Sequence, residues 1–134
     1  MRLTHTFDYQ RIAVLDATLF RGDYPIEGWG DNVWWIGTEN GRDTCYCGIK
    51  QLDEDTGYMT RSGVLHEFQG RGYQKRMIKT RIKWAKSRGL RFIITDTVSD
   101  NPASVNSLIS TGFKQYLPQA PWKSTDALYW IKTL

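Results

Sequence analysis

The feature that most restricts the fold is a change of periodicity near residue 65. Residues 58–65 have the composition of a strand, whereas apolar residues at 73, 77, 78, 82 and 85 have helical spacing. The short segment between them contains Gly70 and Gly72, and Gly89 follows the helical segment. The sequence therefore predicts a strand that passes through a glycine loop into a helix of residues 73–88, which ends before Gly89.

The rest of the chain alternates in the same way, with Asn-Gly and Asp/Gly-rich turns between short strands. Strands are predicted at residues 2–7, 32–38, 44–52, 58–65, 91–98, 113–116 and 128–134. The other helices are predicted at residues 9–20 and about 101–111. This order predicts an α+β (layered α/β) fold in a single domain of residues 1–134. Its sheet is mixed, mostly antiparallel and six- or seven-stranded, with helices on both faces.

Composition fits one ordinary domain, with 134 residues, 40% hydrophobic and 24% charged. No apolar run approaches the ~20 residues that span a bilayer. The first ten residues lack the apolar stretch of a signal peptide. We therefore expect a cytoplasmic protein with no membrane partner. Cys45 and Cys47 lie two apart in a predicted strand, so we expect small buried residues rather than a disulfide or a metal site.

Charge is unevenly distributed along the chain. Residues 71–91 contain nine Lys and Arg and no Asp or Glu, so the other residues are acidic on balance. The loop at residues 21–32 carries Asp23, Glu27 and Asp31 beside Trp29. An aromatic ring beside carboxylates suits a cationic amine, so Trp29 and Asp31 are candidate substrate contacts. The pattern suggests an anion at one end of a site and a cation at the other.

The glycine loop has the chemistry of a phosphate cradle. The first turn of a helix has backbone N–H groups without intrahelical partners, and the helix dipole adds positive charge there. Gly70 and Gly72 keep side chains away from these amides, and Arg71 and Lys75 add cations. The loop lacks the Gly-Lys-Ser/Thr ending of a Walker motif and the third glycine of a dinucleotide fingerprint.

Residues 58–78 resemble the acyl-CoA-binding motif of the GNAT family of N-acetyltransferases, in which Gln/Arg-X-X-Gly-X-Gly/Ala follows a strand ending in Val. Gln69, Gly72 and Gln74 occupy the three motif positions. A second segment resembles the family's Asn-X-X-Ala/Ser…Gly-Phe pattern through Asn101, Ser104, Leu108, Gly112 and Phe113. The resemblance covers residues 57–134, and the first 56 residues agree only in the order of predicted elements.

The resemblance implies the GNAT fold and an acetyl-CoA-dependent reaction. The acetyl group would pass directly to a primary amine, on a small molecule or a protein, without a covalent enzyme intermediate. The backbone of Val64 and Leu65 would hold the pantetheine arm, with Asn101 and Ser104 facing it. The implied pyrophosphate site comprises Gln69, Gly70, Arg71, Gly72, Tyr73, Gln74 and Lys75.

Two positions depart from the family pattern. Gln74 replaces a Gly or Ala, and we expect its amide to donate to a phosphate oxygen. Leu108 stands where the family often has a Tyr that protonates the departing thiolate. The acid would then be Ser107, Ser110, Tyr116 or water.

The general base is left open between several carboxylates. Asp96, on the predicted strand at 91–98, is the first candidate, and Glu39 and Asp31 are alternatives. Strict alternation of the strand before Val64 puts Thr60 and Ser62 on one face and Arg61 on the other, so neither face offers a carboxylate.

Two other functions remain open. Leu108 allows a catalytically inactive CoA-binding or interaction protein of the same fold. The nine cations, on a helix with Trp84, allow a nucleic-acid-binding module, which leaves both family motifs unexplained. Arg81 falls in the apolar arc of that helix, so we expect it to reach a structural carboxylate. We expect a monomer or a homodimer.

Overall fold

The computed structural model describes residues 1–20, 28–123 and 126–134. Its strands are β1 (Arg2–Thr6), β2 (Asn32–Glu39), β3 (Arg42–Gln51), β4 (Thr56–Val64), β5 (Phe92–Val98), β6 (Lys114–Tyr116) and β7 (Ala127–Thr133). Its α-helices are α1 (Tyr9–Leu19), α2 (Tyr73–Ser87) and α3 (Pro102–Ser110). The predicted order of elements is confirmed. Short 3₁₀ helices at Trp29–Asp31 and His66–Phe68 were not predicted. Asp23 and Glu27 of the predicted acidic loop lie outside the described residues.

All seven strands join in one sheet, in the order β1-β2-β3-β4-β5-β7-β6. Every neighbouring pair is antiparallel except β4 and β5, which are parallel, so the predicted mixed sheet is confirmed. The fold follows from the chain order, because two parallel neighbours need a crossover and α2 supplies it. Among the described helices, none is long and apolar enough to cross a membrane.

Helices cover both faces of the sheet, as predicted. Apolar residues of α2 and α3 pack with Cys45, Cys47 and Ile49 of β3 in one cluster, on what we call the α2–α3 face. Ile12 and Leu15 of α1 pack with other strand residues, including Tyr46 of β3, on the α1 face. Both cysteines are free and fully buried, which confirms their prediction as core residues.

The parallel pair β4–β5 separates soon after it forms. Its register contains only Thr56↔Phe92, Gly57↔Ile93 and Tyr58↔Ile94, although β4 continues to Val64 and β5 to Val98. Beyond these pairs, the hydroxyl of Thr95 donates to the carbonyl of Met59 at 2.9 Å. The remaining halves of both strands therefore diverge and leave an opening in the middle of the sheet.

A β-bulge beside this opening changes which side chains share a face. Cys47 pairs with Ser62 and Ile49 pairs with Met59, so Gly48 alone lies opposite two residues of β4. These are Thr60 and Arg61, and both turn to the α1 face. The hydroxyl of Thr60 donates to Asn32 Oδ1 at 2.7 Å, and Arg61 Nε lies 3.1 Å from Oδ1 of Asp16 on α1.

Ser62, in contrast, faces α2 and accepts a hydrogen bond from Gln74 at 2.9 Å. The expectation that Thr60 and Ser62 share a face was wrong. The bulge inserts one residue into β4 and so breaks the two-residue alternation on which that expectation rested.

Arg81 of α2 is 2% exposed and lies against the same bulge. Its Nη1 donates to the carbonyl of Gly48 at 3.3 Å, and its Nε donates to the carbonyl of Met77 at 3.2 Å. The expected carboxylate partner was wrong, since no acid of the described residues forms an ion pair with Arg81. Burial lowers the pKa of this guanidinium. Arg81 therefore bonds to the backbone carbonyl of Gly48 at the bulge, where a carboxylate partner was expected.

Replacing Arg81 should destabilise the protein. Arg81→Met keeps the aliphatic stem but removes the donor to the Gly48 carbonyl, and a buried acceptor left unpaired costs about 1–3 kcal/mol. We expect urea denaturation followed by circular dichroism to show a loss of this size. Lys79→Met, at an exposed position of α2, is the control and should change the free energy of unfolding by less than about 0.5 kcal/mol. Equal stability of the two variants would contradict a structural role for Arg81.

Candidate active site

A cavity of about 850 Å³ occupies the opening between β4 and β5 and reaches both faces of the sheet. Its α1 side is lined by Phe20, Asn32, Lys50, Tyr58, Thr60, Arg61 and Asp96. Its α2–α3 side is lined by Ser62, Gln74, Ile78, Arg81, Asn101, Ser104 and Leu108. Lys123, from the connection between β6 and β7, also lines it.

The first turn of α2 is open to an anion, as the cradle hypothesis requires. Gly72 is the residue before the helix, with φ +80°, and Gly70 has φ +79°, a left-handed conformation that favours glycine. The amide of Arg76 makes the first α-helical hydrogen bond, to the carbonyl of Gly72 at 3.1 Å. The amides of Tyr73, Gln74 and Lys75 have no acceptor within the helix. Gly72 has no side chain with which to cap them.

Glu39 of β2 holds this loop in place. Its carboxylate lies 3.0 Å from Arg71 Nη1 and accepts a hydrogen bond from the Tyr73 hydroxyl at 2.5 Å. The hydrogen bond from Tyr73, helped by the charge of Arg71, lowers the pKa of Glu39. Arg71 also lies over the ring of Phe68, 5.1 Å from its centroid. Glu39 was an alternative general base, but its carboxylate is bonded to Tyr73 and ion-paired with Arg71. It therefore anchors the glycine loop.

The end of β4 presents backbone groups to the opening. The amide of Leu65 donates to the carbonyl of Thr44 at 2.9 Å, and antiparallel alternation then turns the backbone groups of Val64 away from β3. The side-chain amide of Gln69 donates to the Val64 carbonyl at 3.2 Å. Gln74, expected to reach a phosphate, lines the cavity with its amide bonded to Ser62.

Helix α3 forms the opposite wall. Asn101 caps it by accepting a hydrogen bond from the Ser104 amide at 3.2 Å, and both residues line the cavity. Their contact with a cofactor arm stays a prediction. Leu108 lines the cavity and is 4% exposed. The hydroxyls of Ser107 and Ser110 donate to carbonyls of their own helix, at 2.9 and 3.1 Å. Neither serine lines the cavity.

Asp96 of β5 is the single carboxylate among the described residues that line the cavity. Its Oδ2 accepts hydrogen bonds from the Tyr58 hydroxyl at 2.5 Å and from Trp122 Nε1 at 2.9 Å. Oδ1 receives no donor from the described residues. Burial, reinforced by Asp96, raises the pKa of Tyr58 and keeps its hydroxyl a proton donor to the carboxylate.

Sequence analysis missed both partners of Asp96. Tyr58 pairs in the parallel register with Ile94, two residues before Asp96, so it shares a face with Asp96. The parallel pairing of β4 with β5 would have been the signal for Tyr58. Trp122 lies in the loop between β6 and β7, where no periodicity indicates the direction of a side chain.

Three other predicted site residues lie away from this cavity. Tyr116 of β6 lines a second cavity of about 550 Å³, where burial and then Tyr129 raise its pKa. Trp29 packs with the core, 5.2 Å from the ring of Trp34. Asp31 is exposed. Within residues 1–20, 28–123 and 126–134, no group of three or more His, Cys, Asp or Glu is placed to hold a metal ion.

Solved structures with the same architecture span the whole chain. A putative acyl-CoA N-acyltransferase from Klebsiella pneumoniae is 17% identical, with a TM-score of 0.80 over 99% of this chain and 97% of the other. A GNAT family acetyltransferase from Elizabethkingia anophelis with acetyl-CoA bound is 14% identical, with a TM-score of 0.75 over 99% and 97%. A ribosomal-protein-alanine N-acetyltransferase from Brucella melitensis is 15% identical, with a TM-score of 0.78 over 100% of both chains. At these identities the likeness shows the fold alone.

Sequence comparison supplies the family. Among curated proteins, none matches the chain. The sequence profile described as "Acetyltransferase (GNAT) family" matches residues 5–113, which is most of the chain and includes the glycine loop and the Asn101–Phe113 segment. Together with the opening between β4 and β5, this match shows that the chain belongs to the GNAT family of acetyltransferases.

Proposed function

We propose that this protein is an N-acetyltransferase that moves an acetyl group from acetyl-CoA directly to a primary amine. The observation that carries the proposal is the cavity through the sheet, which reaches Gln74 in the first turn of α2 on one face and Asp96 on the other. When bound, acetyl-CoA supplies an acetyl group already activated as a thioester. The two reactants can meet from opposite faces, so the protein needs no covalent intermediate of its own.

The chain's residues fit acetyl-CoA on the α2–α3 face. Backbone amides of residues 69–75 suit a pyrophosphate, because they lie at the positive end of the α2 dipole. The Val64 amide turns away from β3 and is available to an extended arm, as at a sheet edge, while the Val64 carbonyl accepts a hydrogen bond from Gln69. Asn101 and Ser104 line the facing wall. The amide of Gln74 braces Ser62 in this proposal rather than binding phosphate.

Asp96 is the proposed general base. An amine with a pKa near ~10 carries a proton at neutral pH and must lose it before attack. Tyr58 and Trp122 both bond to Oδ2, which leaves Oδ1 without a donor from the described residues and able to take that proton, directly or through one water. Ser107 and Tyr116 have no catalytic part in the proposal. The Ser107 hydroxyl is bonded within α3, and Tyr116 lines the second cavity.

Leu108 leaves the departing thiolate without a tyrosine donor. A thiol with an ordinary pKa of ~8.5 leaves readily at neutral pH, and water or protonated Asp96 can supply its proton. The same residue supports the second candidate function, a catalytically inactive CoA-binding protein, because an apolar side chain fills the wall where a donor would serve. Thiol release in the presence of amines distinguishes the two functions.

The proposal includes a single acetyltransferase domain over residues 1–134 that works in the cytoplasm. The acceptor class is open to small amines and to protein amines. The structural likeness to an enzyme named for ribosomal-protein alanine supports testing a peptide N-terminus.

Gly72→Glu should weaken binding of acetyl-CoA about a hundredfold or more, because like charges brought together in a binding site cost several kcal/mol. Isothermal titration calorimetry with acetyl-CoA measures this effect. Gly89→Glu is a matched control, since Gly89 also has positive φ, +72°, and open space, at the other end of α2. Both variants carry the same backbone strain and charge. Equal affinities of the two variants would place the anion elsewhere.

Asp96→Asn should lower kcat by about 100-fold or more, because positioned general bases contribute 10²–10⁴-fold. The affinity for acetyl-CoA should stay unchanged, because Asp96 lies on the α1 side of the cavity. The assay follows thiol release with a panel of primary amines and with peptides. Asp100→Asn, at an exposed position near the end of the same strand, is the control. Full activity of the Asp96 variant would remove it from the mechanism.

A further inference from the structure

The cavity carries more positive than negative charge. Its described lining contains four cations and one carboxylate, Asp96. Arg81 is committed to the Gly48 carbonyl, and Arg61 is paired with Asp16 and lies over the ring of Phe20. These contacts leave Lys50 and Lys123 as the cavity's lysines that are not ion-paired with any described carboxylate.

Lys50 lines the same side of the cavity as the proposed base, with Tyr58 of β4 between them. It is half-buried on β3 and pairs with Tyr58 of β4, whose hydroxyl donates to Asp96. Side chains of such a cross-strand pair lie about 5 Å apart at Cβ. Lys50 therefore lies on the same face of the sheet as Tyr58 and Asp96, and it lines the cavity there.

Lys123 lies on the other flank of Asp96. It follows Trp122, which donates to the Asp96 carboxylate, and its own amide donates to the Tyr129 hydroxyl at 3.0 Å. These two hydrogen bonds hold the backbone of the loop at this point. The Lys123 side chain lines the cavity from there.

These two lysines do not belong to the phosphate cradle. Lys50 lies on the face of β3 that carries Tyr46, which packs against α1, because the two residues are four apart in one strand. The first turn of α2 lies on the opposite face. A group bound by Lys50 and Lys123 therefore enters with the acceptor and not with the pyrophosphate.

We propose that the acceptor is an amine that also carries a carboxylate or another anionic group, which Lys50 and Lys123 bind while the amine faces Asp96. The inference rests on the proposed N-acetyltransferase function and names its substrate class. Lys50 is half-buried and is not ion-paired with any described carboxylate, so it attracts an anion more strongly than the exposed Lys123 does, since the local dielectric is below that of water. In a molecule with both charges, the ammonium group faces Asp96 and the anionic group faces Lys50 and Lys123. A purely cationic amine has no group for the two lysines and is repelled by them.

The test uses acceptor pairs that differ only in the carboxylate. L-Phenylalanine is compared with phenethylamine, and L-lysine with cadaverine, by thiol release at saturating acetyl-CoA. We expect the carboxylated member of each pair to have a kcat/KM at least about tenfold higher. Lys50→Gln and Lys123→Gln should each remove most of this preference through KM, and Lys50→Glu should reverse it in favour of cadaverine. Lys86→Gln, on the exposed surface of α2, should leave it unchanged.

Equal or better turnover of phenethylamine and cadaverine by the wild-type protein would overturn the inference while leaving the acetyltransferase function intact. Binding of the same four amines to the CoA-bound protein is also measured by calorimetry. This measurement tests the anionic subsite independently of the acetyltransferase activity. Binding of the amino acids that depends on Lys50, without any thiol release, would support the anionic subsite and refute the catalytic function. Binding of none of the four amines, or binding unaffected by Lys50→Gln, would overturn the inference.

Discussion

The structure depends on the separation of β4 from β5 after three register pairs. Two parallel strands in the centre of a sheet would normally stay hydrogen-bonded along their length, because buried backbone groups need partners. Here the second half of β4 keeps its bonds to β3 and turns its other backbone groups into a cavity. The opening thus creates both the space and a strand edge along which an extended ligand can lie, in the middle of the sheet.

The bulge opposite Gly48 decides which side chains of β4 line each side of this opening. The bulge places Thr60 and Arg61 on the α1 face and Ser62 on the α2–α3 face. The two sides of the cavity therefore present different side chains of the same strand. Arg81 secures the bulge from α2 at the carbonyl of Gly48. The nine cations of residues 71–91 are therefore not equivalent: Arg81 is a buried structural residue, whereas the others are exposed. The first turn of α2 and the α1 side of the cavity therefore present different side chains, although Arg61 and Gln69 are only eight residues apart in sequence.

Local sequence patterns are sufficient for some parts of this structure and not for others. All seven strands and three α-helices could be predicted, since their periodicities and glycine turns are local properties of the chain. The cradle at Gly70 and Gly72 could be predicted for the same reason, because an open helix terminus needs only its own residues. The hydrogen-bond partners of Asp96 could not be predicted from the sequence. Tyr58 and Trp122 are 38 and 26 residues away from it, and only the β4–β5 pairing and the loop after β6 bring them together.

The sequence by itself determined the order of elements, the open first turn of α2 and membership of the GNAT family, because these depend on residues close together in the chain. Tertiary structure alone decided the face on which Thr60 and Arg61 lie, the backbone partner of Arg81, and the engagement of Glu39 with the cradle. It also placed Lys50 and Lys123 on either side of Asp96. Each of these is set by a bulge, a strand register or a loop contact between distant segments, and a single inserted residue in a strand reverses every face assignment that follows it.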